Sequence, residues 1–213
     1  WSGQVIGIPG TIDNDIDGSD FSIGFSTAIN TAIEAIDKIR DTAEAFERIF
    51  IVELMGRNSG HITYNVGIAC AAEQIISFEN FATKNQTASE QEKLLALAKE
   101  IKLAQANRHA SYIIVLAENL WQGGATALAQ QLQTLANIDC TACILGHIQR
   151  GGSPLGVGAV QAMIAGKSNI MIAEQNNAVA HVALQTAIMH QQGVSNNLVQ
   201  AQENILALTA QRL

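Results

Sequence analysis

The chain has few charged residues and few aromatic ones. Of its 213 residues, 15% are charged, 5% are aromatic and 48% are hydrophobic, and the formal net charge is −7. So low a charged fraction argues against disorder, because such a chain can bury enough apolar surface to fold. The acidic balance disfavours nucleic acids and anionic membranes as partners, since both select basic surfaces. No apolar run reaches the roughly 20 residues that span a bilayer, so we expect a soluble protein.

Cysteine is also scarce, and the count is odd. Cys70, Cys140 and Cys143 occur in a chain without a basic-then-apolar leader segment, so we expect a reducing cytoplasm rather than secretion. Cys140 and Cys143 form one C-x-x-C, but two further ligands at the spacing of a zinc site do not accompany them. We interpret all three as ordinary thiols.

The chain has only two prolines, and each lies in a segment that carries reactive groups. Pro9 belongs to residues 7–15, where a hydroxyl and two carboxylates, those of Thr11, Asp13 and Asp15, follow a short apolar run. Reactive side chains of α/β proteins commonly lie in a loop directly after a strand. We interpret residues 7–15 as an active-site loop.

Pro154 ends the second segment, residues 146–154. This segment places two potential cations, His147 and Arg150, ahead of Gly151-Gly152. Glycines let backbone N–H groups approach an anion closely. The pattern therefore predicts a phosphate-binding segment.

Apolar periodicity predicts alternating strands and helices. Runs of strand length lie at residues 5–9, 48–54, 75–78, 112–117 and 142–145, and helical spacing recurs at 25–39, after 59, at 94–101 and at 125–135. This alternation predicts an α/β fold with a parallel sheet covered by helices.

Four candidate side chains directly follow predicted strands: those of Asp13, Arg57, Glu118 and His147. Because ligands bind at the carboxyl ends of parallel strands, we expect all four at one edge of the sheet. The helix predicted after Ser59 would direct its first backbone N–H groups towards Arg57 and its ligand.

Two further stretches carry no chemical signature. Residues 80–91 are polar and predict a surface loop that feeds a helix, and the chain beyond residue 155 is rich in Ala, Gln and Asn and predicts helices. We therefore divide the chain into residues 1–155, which hold both candidate segments, and a helical region, 156–213, that packs on the same lobe.

Together with residues 53–60, the two proline-containing segments closely resemble ATP-dependent 6-phosphofructokinases. The resemblance is strongest over residues 5–79 and 112–154. It implies a parallel-sheet, Rossmann-like phosphofructokinase fold, incomplete at the N-terminus. Members of that family begin with a lobe of glycine-rich nucleotide loops, whereas this chain starts at Trp1. We expect the sugar-phosphate half of such a kinase, inactive alone.

The resemblance also implies catalytic roles. Asp13 would accept the proton of the 1-hydroxyl of fructose 6-phosphate, Thr11 would donate to the transferred phosphoryl group, and Asp15 would help to hold Mg²⁺. ATP would be the co-substrate. Arg57 resembles the arginine that stabilises charge on the phosphoryl group in transit. Packing Asp13 near Asp15 would raise the proton affinity of one carboxylate, as a general base requires.

The acidic residues of the first loop leave two alternatives. Asp13, Asp15 and Asp17 before Gly18 match half of a calcium-binding loop, but its twelfth position is Gly24 instead of a glutamate, and a strand precedes it instead of a helix. A solvated acidic turn is the second alternative. We favour phosphoryl transfer.

Substrate contacts are implied by the same resemblance. His147 and Arg150 would grip the 6-phosphate, Glu118 would bind a sugar hydroxyl, and Met55 and Gly56 would line the pocket. Arg48 resembles an arginine that reaches into the pocket of a neighbouring subunit, so the family pattern implies a homo-oligomer, a tetramer.

Several positions depart from the family pattern. Thr141 stands where a second cross-subunit arginine is usual, and Gly158-Ala159 replace an Asp-Arg pair. Arg40 and Glu73 match an allosteric nucleotide site that is otherwise incomplete. These departures leave a catalytically silent, sugar-phosphate-binding or regulatory relative as an alternative. A pyrophosphate-dependent enzyme is disfavoured, because Gly10 stands where that branch carries lysine.

Overall fold

The computed structural model describes residues 3–82, 89–107, 111–151, 156–176, 178–189 and 191–211. Within these ranges the chain forms a four-stranded and a three-stranded sheet, with α-helices packed against both. The α/β architecture expected from the sequence is therefore present.

The four-stranded sheet is wholly parallel, in the order β3-β4-β2-β5. Its strands are β2 (Ile49–Leu54), β3 (Gln74–Ile76), β4 (Tyr112–Ala117) and β5 (Cys140–Ile144). Every residue of β4 is buried, as expected for a parallel strand with helices on both faces. The sequence predicted all four strands to within a few residues.

Side chains of β2 alternate between two hydrophobic clusters, one on each face of the sheet. Ile49 and Ile51 pack with the helices α3 (Glu90–Ala106) and α4 (Gly124–Ala136). Phe50 and Val52 pack with α1 (Phe25–Phe46) and α2 (His61–Ala69) on the opposite face. Because successive strand residues point to opposite faces, one continuous apolar run supplies both cores.

The second sheet has the order β1-β6-β7, with β1 parallel and β7 antiparallel to β6. It is formed by β1 (Ile6–Gly7), β6 (Ile170–Gln175) and β7 (Ala178–Ala183). The sequence analysis predicted neither β6 nor β7, because a short apolar run such as that of β6 has no periodicity that separates strand from helix. The strand before Asp13 therefore lies outside the four-stranded sheet, so the expectation that one sheet supplies all four candidate residues was wrong, although Asp13 itself reaches the carboxyl end of β2.

Helices cover both faces of this second sheet. Ala159 and Ala162 of α5 (Gly156–Ile164) pack on Ile172, and Ala187 of α6 (Leu184–Met189) packs on Met171. The last helix, α7 (Asn196–Gln211), contacts α2. The division at residue 155 stays a prediction, although β6 bonds directly to β1 across it.

The described residues of the polar stretch at 80–91 are more helical than the sequence predicted. A π-helical turn covers Phe78–Ala82, residues 83–88 lie outside the described ranges, and α3 begins at Glu90. Ser89 and Glu92 form a reciprocal capping box that fixes the start of α3. The described part of the chain contains no helix long and apolar enough to cross a membrane.

Two leucines of α4 provide a matched test of the core. Leu128 is fully buried, whereas Leu135 is 51% exposed on the same helix. We expect Leu128→Ala to lower the free energy of unfolding by about 2–5 kcal/mol, because it leaves a cavity in a packed core. Leu135→Ala should change it by less than about 0.5 kcal/mol. Urea unfolding followed by circular dichroism measures both, and equal losses would contradict the packing described here.

Candidate active site

The first candidate loop is held in shape by a buried asparagine. Asn14 is 4% exposed and has a φ of 55°, a left-handed conformation that asparagine tolerates better than most residues. Its Nδ2 donates to Asp20 O at 3.0 Å, and its Oδ1 accepts from Ser22 N at 2.8 Å. Ser22 Oγ donates to Thr11 O at 2.6 Å. Thr11 and Asn14 of the loop are thereby tied to residues 20–22, shortly before α1.

Asp13 reaches the four-stranded sheet although its own strand belongs to the other one. Ser59 Oγ, in the loop after β2, donates to Asp13 O at 2.8 Å. The amide N–H of Asp13 donates to Thr11 Oγ1 at 3.2 Å. The loop is therefore fastened to the carboxyl end of β2.

The electrostatic surroundings of Asp13 favour a proton. Burial raises the pKa of the Asp13 carboxyl most, and the nearby carboxylates of Asp15 and Glu118 raise it further. The hydrogen bond with Thr11 and the charge of Arg57 oppose this rise. The sequence analysis predicted the effect of Asp15 on the Asp13 pKa, and the structure confirms it while making burial the larger cause.

Glu118 organises the loop that carries Arg57. Its Oε1 accepts from Gly56 N at 3.0 Å and from Arg57 N at 2.7 Å. Arg57 has a φ of 56°, and its carbonyl accepts from Asn119 Nδ2 at 3.1 Å. The Arg57 side chain is exposed. One carboxylate oxygen of Glu118 is thus used by the backbone, and Oε2 is the oxygen that could face a ligand.

Gly56 is required by this turn. Its φ is 152°, and an added Cβ would lie 2.8 Å from Ser59 O. Ser59 N donates to Gly56 O at 2.9 Å, which closes the turn. Ser59 is thereby placed to bond to Asp13 O.

The N-termini of α2 and α4 are filled by glutamates from elsewhere in the fold. Glu79 Oε1 accepts from Gly60 N at 3.1 Å, directly before α2, and Glu53 Oε2 accepts from Ala125 N at 2.6 Å in α4. Each carboxylate satisfies an otherwise unpaired helix N–H group. The first N–H groups of α2 were expected to face Arg57 and its ligand; Glu79 takes the N–H of Gly60, and for the N–H groups that follow the expectation stays a prediction.

The second candidate segment forms a short 3-10 helix, Gly146–Gln149, followed by Arg150. Gln149 is fully buried, and its Oε1 accepts from Met55 N at 2.9 Å. This bond ties the segment to the end of β2. His147 and Arg150 are exposed on either side of Gln149. The predicted contributions of Gly152 and Pro154 fall outside the described residues.

Gly151 and Gly24 bring the two candidate segments together. Gly24 precedes α1 with a φ of 96°, and a Cβ there would collide with Gly151 O. This close backbone contact seats the arginine-bearing segment against the helix that follows the first loop.

An open cleft of about 390 Å³ results from this contact. Its walls include Thr11 and Asp13 from the first loop and Arg150 from the second segment, separated by more than a hundred residues in sequence. The cleft is completed by Gly10, Ile12, Ile23 and Gly151. A carboxyl of raised pKa, a hydroxyl and a guanidinium therefore share one concave surface.

Asp15 lies beside a second cleft of about 390 Å³, lined also by Gly7, Ile8, Pro9 and Gln191. Gln191 Nε2 donates to Asp15 Oδ2 at 3.2 Å. Among the described residues no group of three or more His, Cys, Asp or Glu side chains could hold a metal ion. Mg²⁺ is commonly held by one or two carboxylates, with water and phosphate as its other ligands, so a single carboxylate is compatible with such a site. Asp15 lines a different cleft from Thr11 and Asp13, and its metal role stays a prediction.

Five predicted residues do not line either cleft although they belong to the neighbouring loops: Arg57, Met55, Gly56, Glu118 and His147. Three more, Arg48, Arg40 and Glu73, lie in other parts of the described structure. Arg48 is exposed, with its guanidinium carbon 5.3 Å from the centre of the Phe46 ring. Arg40 Nη1 pairs with Glu73 Oε1 at 3.3 Å, and Glu73 Oε2 also accepts from Ile113 N at 2.7 Å. The residues expected at an effector site therefore bind each other and join α1 to β4.

The C-x-x-C on β5 divides between the two faces of the sheet. Cys140 packs against one hydrophobic cluster and Cys143 against the other. Both thiols are free, and burial raises the pKa of Cys140 to about 12. The interpretation as ordinary thiols agrees with this placement.

Sequence reasoning missed the residues that position the site. Ser59 and Gln149 lie inside recognised motifs, so proximity to candidate residues could have indicated them. Asn14, between two aspartates, could have been noted for its tolerance of a left-handed backbone. Gln191 has no local signal at all, because it meets Asp15 only through the fold.

Comparisons with known proteins give one consistent result. The family model described as Phosphofructokinase matches residues 1–173. The ATP-dependent 6-phosphofructokinase 1 of Thermus thermophilus is 39% identical over 214 residues, which cover 96% of this chain and 63% of the relative. The ATP-dependent 6-phosphofructokinase of Coxiella burnetii is 45% identical over 187 residues, covering 83% of this chain and 54% of the relative. The chain thus spans less than two thirds of either relative.

Solved structures support the fold. Phosphofructokinase from Saccharomyces cerevisiae matches with a TM-score of 0.73 and 24% identity, over 95% of this chain and 31% of that chain. A pyrophosphate-dependent phosphofructokinase from Nitrosospira multiformis matches with a TM-score of 0.74 and 20% identity, over 92% and 55%. At these identities the likeness concerns the fold alone.

The negative charge of Asp15 should have a measurable effect on the pKa of Asp13. Asp15→Asn should lower the pKa of Asp13, because it removes a negative charge that raises it. Asp17→Asn, in the same loop, is the matched control and should leave the Asp13 pKa unchanged. Carboxyl ¹³C chemical shifts followed over a pH titration measure this pKa. An unaltered Asp13 pKa in the Asp15 variant would contradict the arrangement.

A dependence of stability on pH also follows. Because the folded state raises the pKa of Asp13, the folded protein binds this proton more tightly than the unfolded chain. The resulting stabilisation is complete below the unfolded pKa of 3.8 and is lost as pH rises through the folded pKa. As pH rises from about 3 to about 7, the parent protein loses this stabilisation and Asp13→Asn does not. The free energy of unfolding of the variant should therefore rise relative to that of the parent over this interval. Urea unfolding at both pH values tests this, and a constant difference would refute it.

Proposed function

Because this chain belongs to the phosphofructokinase family, we propose that it supplies the catalytic base and the sugar-phosphate site of an ATP-dependent 6-phosphofructokinase. Such an enzyme transfers the γ-phosphoryl group of ATP to the 1-hydroxyl of fructose 6-phosphate. The observation that carries the proposal is the shared cleft of Thr11, Asp13 and Arg150. Phosphoryl transfer to a sugar phosphate needs a base for the sugar hydroxyl, a donor for the transferred group and a cation for the phosphate that the sugar already carries, and the cleft offers each.

Asp13 is the proposed general base. Its raised pKa increases its basicity towards a sugar hydroxyl, while its partial exposure keeps it accessible from the cleft. Thr11 Oγ1 accepts a hydrogen bond from Asp13 N, and its hydroxyl proton takes part in the side-chain hydrogen bond that lowers the Asp13 pKa, so in the proposed role this proton turns from the Asp13 carboxyl to the phosphoryl group when substrate binds.

Arg150 and His147 are the proposed 6-phosphate ligands, with Glu118 and the Met55-Gly56 turn as further substrate contacts. Gln149 lies between the two cations and is bonded to Met55, which supports joint placement of these groups. Arg57 is proposed to stabilise the phosphoryl group in transit, since its charge acts on Asp13 and its side chain is exposed. Asp15 would hold Mg²⁺, which neutralises phosphate charge when bound.

The remaining parts of the proposal concern the wider protein. The ATP-binding groups would come from the part of the relatives that this chain does not span, so the chain alone would be inactive. Arg48, exposed beside Phe46, would complete the pocket of a neighbouring subunit in a homo-oligomer. The three free thiols support a reducing, cytoplasmic location.

Calorimetric titration with fructose 6-phosphate tests the sugar-phosphate site. We expect saturable heat for the parent chain and binding at least about tenfold weaker for Arg150→Ala, because a charge-assisted hydrogen bond contributes about 1.5–3 kcal/mol. Lys102→Ala, an exposed cation on α3, is the control and should bind as the parent does. Asp13→Asn should retain binding, since a base acts on the bound sugar.

Two outcomes would contradict the proposal. If the folded parent chain does not bind fructose 6-phosphate, the sugar-phosphate site is not formed by this chain. If Arg150→Ala binds as tightly as the parent, the phosphate lies elsewhere. Retained binding without phosphoryl transfer in the complete protein would favour the silent, sugar-phosphate-binding relative.

A further inference from the structure

The segment after α6 contacts the Asp15 loop through both backbone and side chain. Gln192 N donates to Asp15 O at 2.9 Å, and Gln191 Nε2 donates to Asp15 Oδ2 at 3.2 Å. Ile16 and Gln191 form an isolated antiparallel bridge. A segment 176 residues further along the chain therefore holds both the backbone and the carboxylate of Asp15.

This segment is itself anchored to the core. Gln192 O lies 3.0 Å from Nε2 of His61, which is 5% exposed, and the His61 ring meets Phe25 edge-on at 6.2 Å between centroids. With its side-chain amide oriented so that the nitrogen faces carbonyl oxygens, Gln192 donates to Ser19 O at 2.8 Å and to Ile16 O at 3.2 Å. Gln191 is itself exposed, and the residue that follows it is bonded to the core.

The hydrogen bond from Gln191 constrains the carboxylate without neutralising it. Rotation of the Asp15 side chain would break the contact with Oδ2, and within the described residues no donor contacts Oδ1. Gln191 and Asp15 line the same cleft, so the free oxygen and the donor share one opening. A lysine in place of Gln191 would cancel the charge that attracts a cation, whereas an amide only orients it.

We propose that Gln191 is a positioning residue that orients the Asp15 carboxylate to bind a divalent cation. The proposal rests on the proposed function, in which Asp15 is the magnesium ligand. Hydrogen-bond partners of ligating carboxylates fix ligand orientation, and their loss commonly weakens metal binding about 10–100-fold. For this partly exposed pair we expect about tenfold, the lower end of that range.

Manganese serves as the probe, because it binds oxygen sites like those of magnesium and broadens nearby NMR signals. We would titrate Mn²⁺ into the folded chain and follow the backbone amide signals of residues 13–18 in ¹H–¹⁵N spectra. Gln191→Met keeps the side-chain length and removes the donor. Gln133→Met is the matched control, since Gln133 is an exposed glutamine on α4 that bonds only Asn137 among the described residues.

We expect the Mn²⁺ midpoint to rise about tenfold in Gln191→Met and to stay unchanged in Gln133→Met. Mg²⁺ should reverse the broadening, and fructose 6-phosphate binding and the thermal unfolding temperature should be the same in all three proteins. A purely structural role would change the last two quantities. Gln191→Ala provides a second variant without the donor, should the methionine perturb the cleft.

The remaining outcomes separate the positioning role of Gln191 from the assignment of Asp15 as a metal ligand. An equal Mn²⁺ midpoint in the parent and both Gln191 variants would overturn the positioning role while leaving Asp15 as a metal ligand. Absence of broadening near Asp15 in the parent would overturn the magnesium assignment together with this inference. In that second case fructose 6-phosphate binding would still test the sugar-phosphate site independently.

Discussion

The hydrogen bond from Ser59 to the carbonyl of Asp13 joins the two halves of the candidate site. Asp13 follows a two-residue strand of the smaller sheet, and by itself that strand does not fix its position relative to β2 or β4. Ser59 is placed by the tight turn at Gly56, which Glu118 holds through the N–H groups of Gly56 and Arg57. The position of the proposed base therefore depends on the turn after β2, a strand of the other sheet.

The same arrangement explains the electrostatics. The bond from Ser59 brings Asp13 within reach of Glu118 and Arg57, which act on its pKa in opposite directions. Burial and two neighbouring carboxylates outweigh the arginine and the Thr11 hydrogen bond, so the net effect is a raised pKa. A group whose charged form is disfavoured in the fold reduces stability at neutral pH, a cost that is common at reactive sites.

Glutamates and glutamines from distant segments carry much of the internal organisation. Glu79 and Glu53 fill the starts of α2 and α4, Gln149 joins the arginine-bearing segment to Met55, and Gln191 reaches Asp15. Long side chains suit these roles because they bridge elements whose backbones cannot approach. Such bridging roles are hard to predict from the sequence, because most glutamates and glutamines in any chain lie on the surface.

The sequence by itself determined the α/β class, the four parallel strands β2 to β5, and the segments that hold Asp13, Arg57 and Arg150, because apolar periodicity and short motifs are local properties. It did not determine that β1 pairs with β6, or that Glu79 binds the N–H group directly before α2. Those outcomes depend on contacts between residues far apart in the chain. Only the tertiary structure placed Ser59, Gln149 and Gln191, since a hydrogen-bond partner is chosen by distance in space and direction of approach, neither of which is written in local sequence.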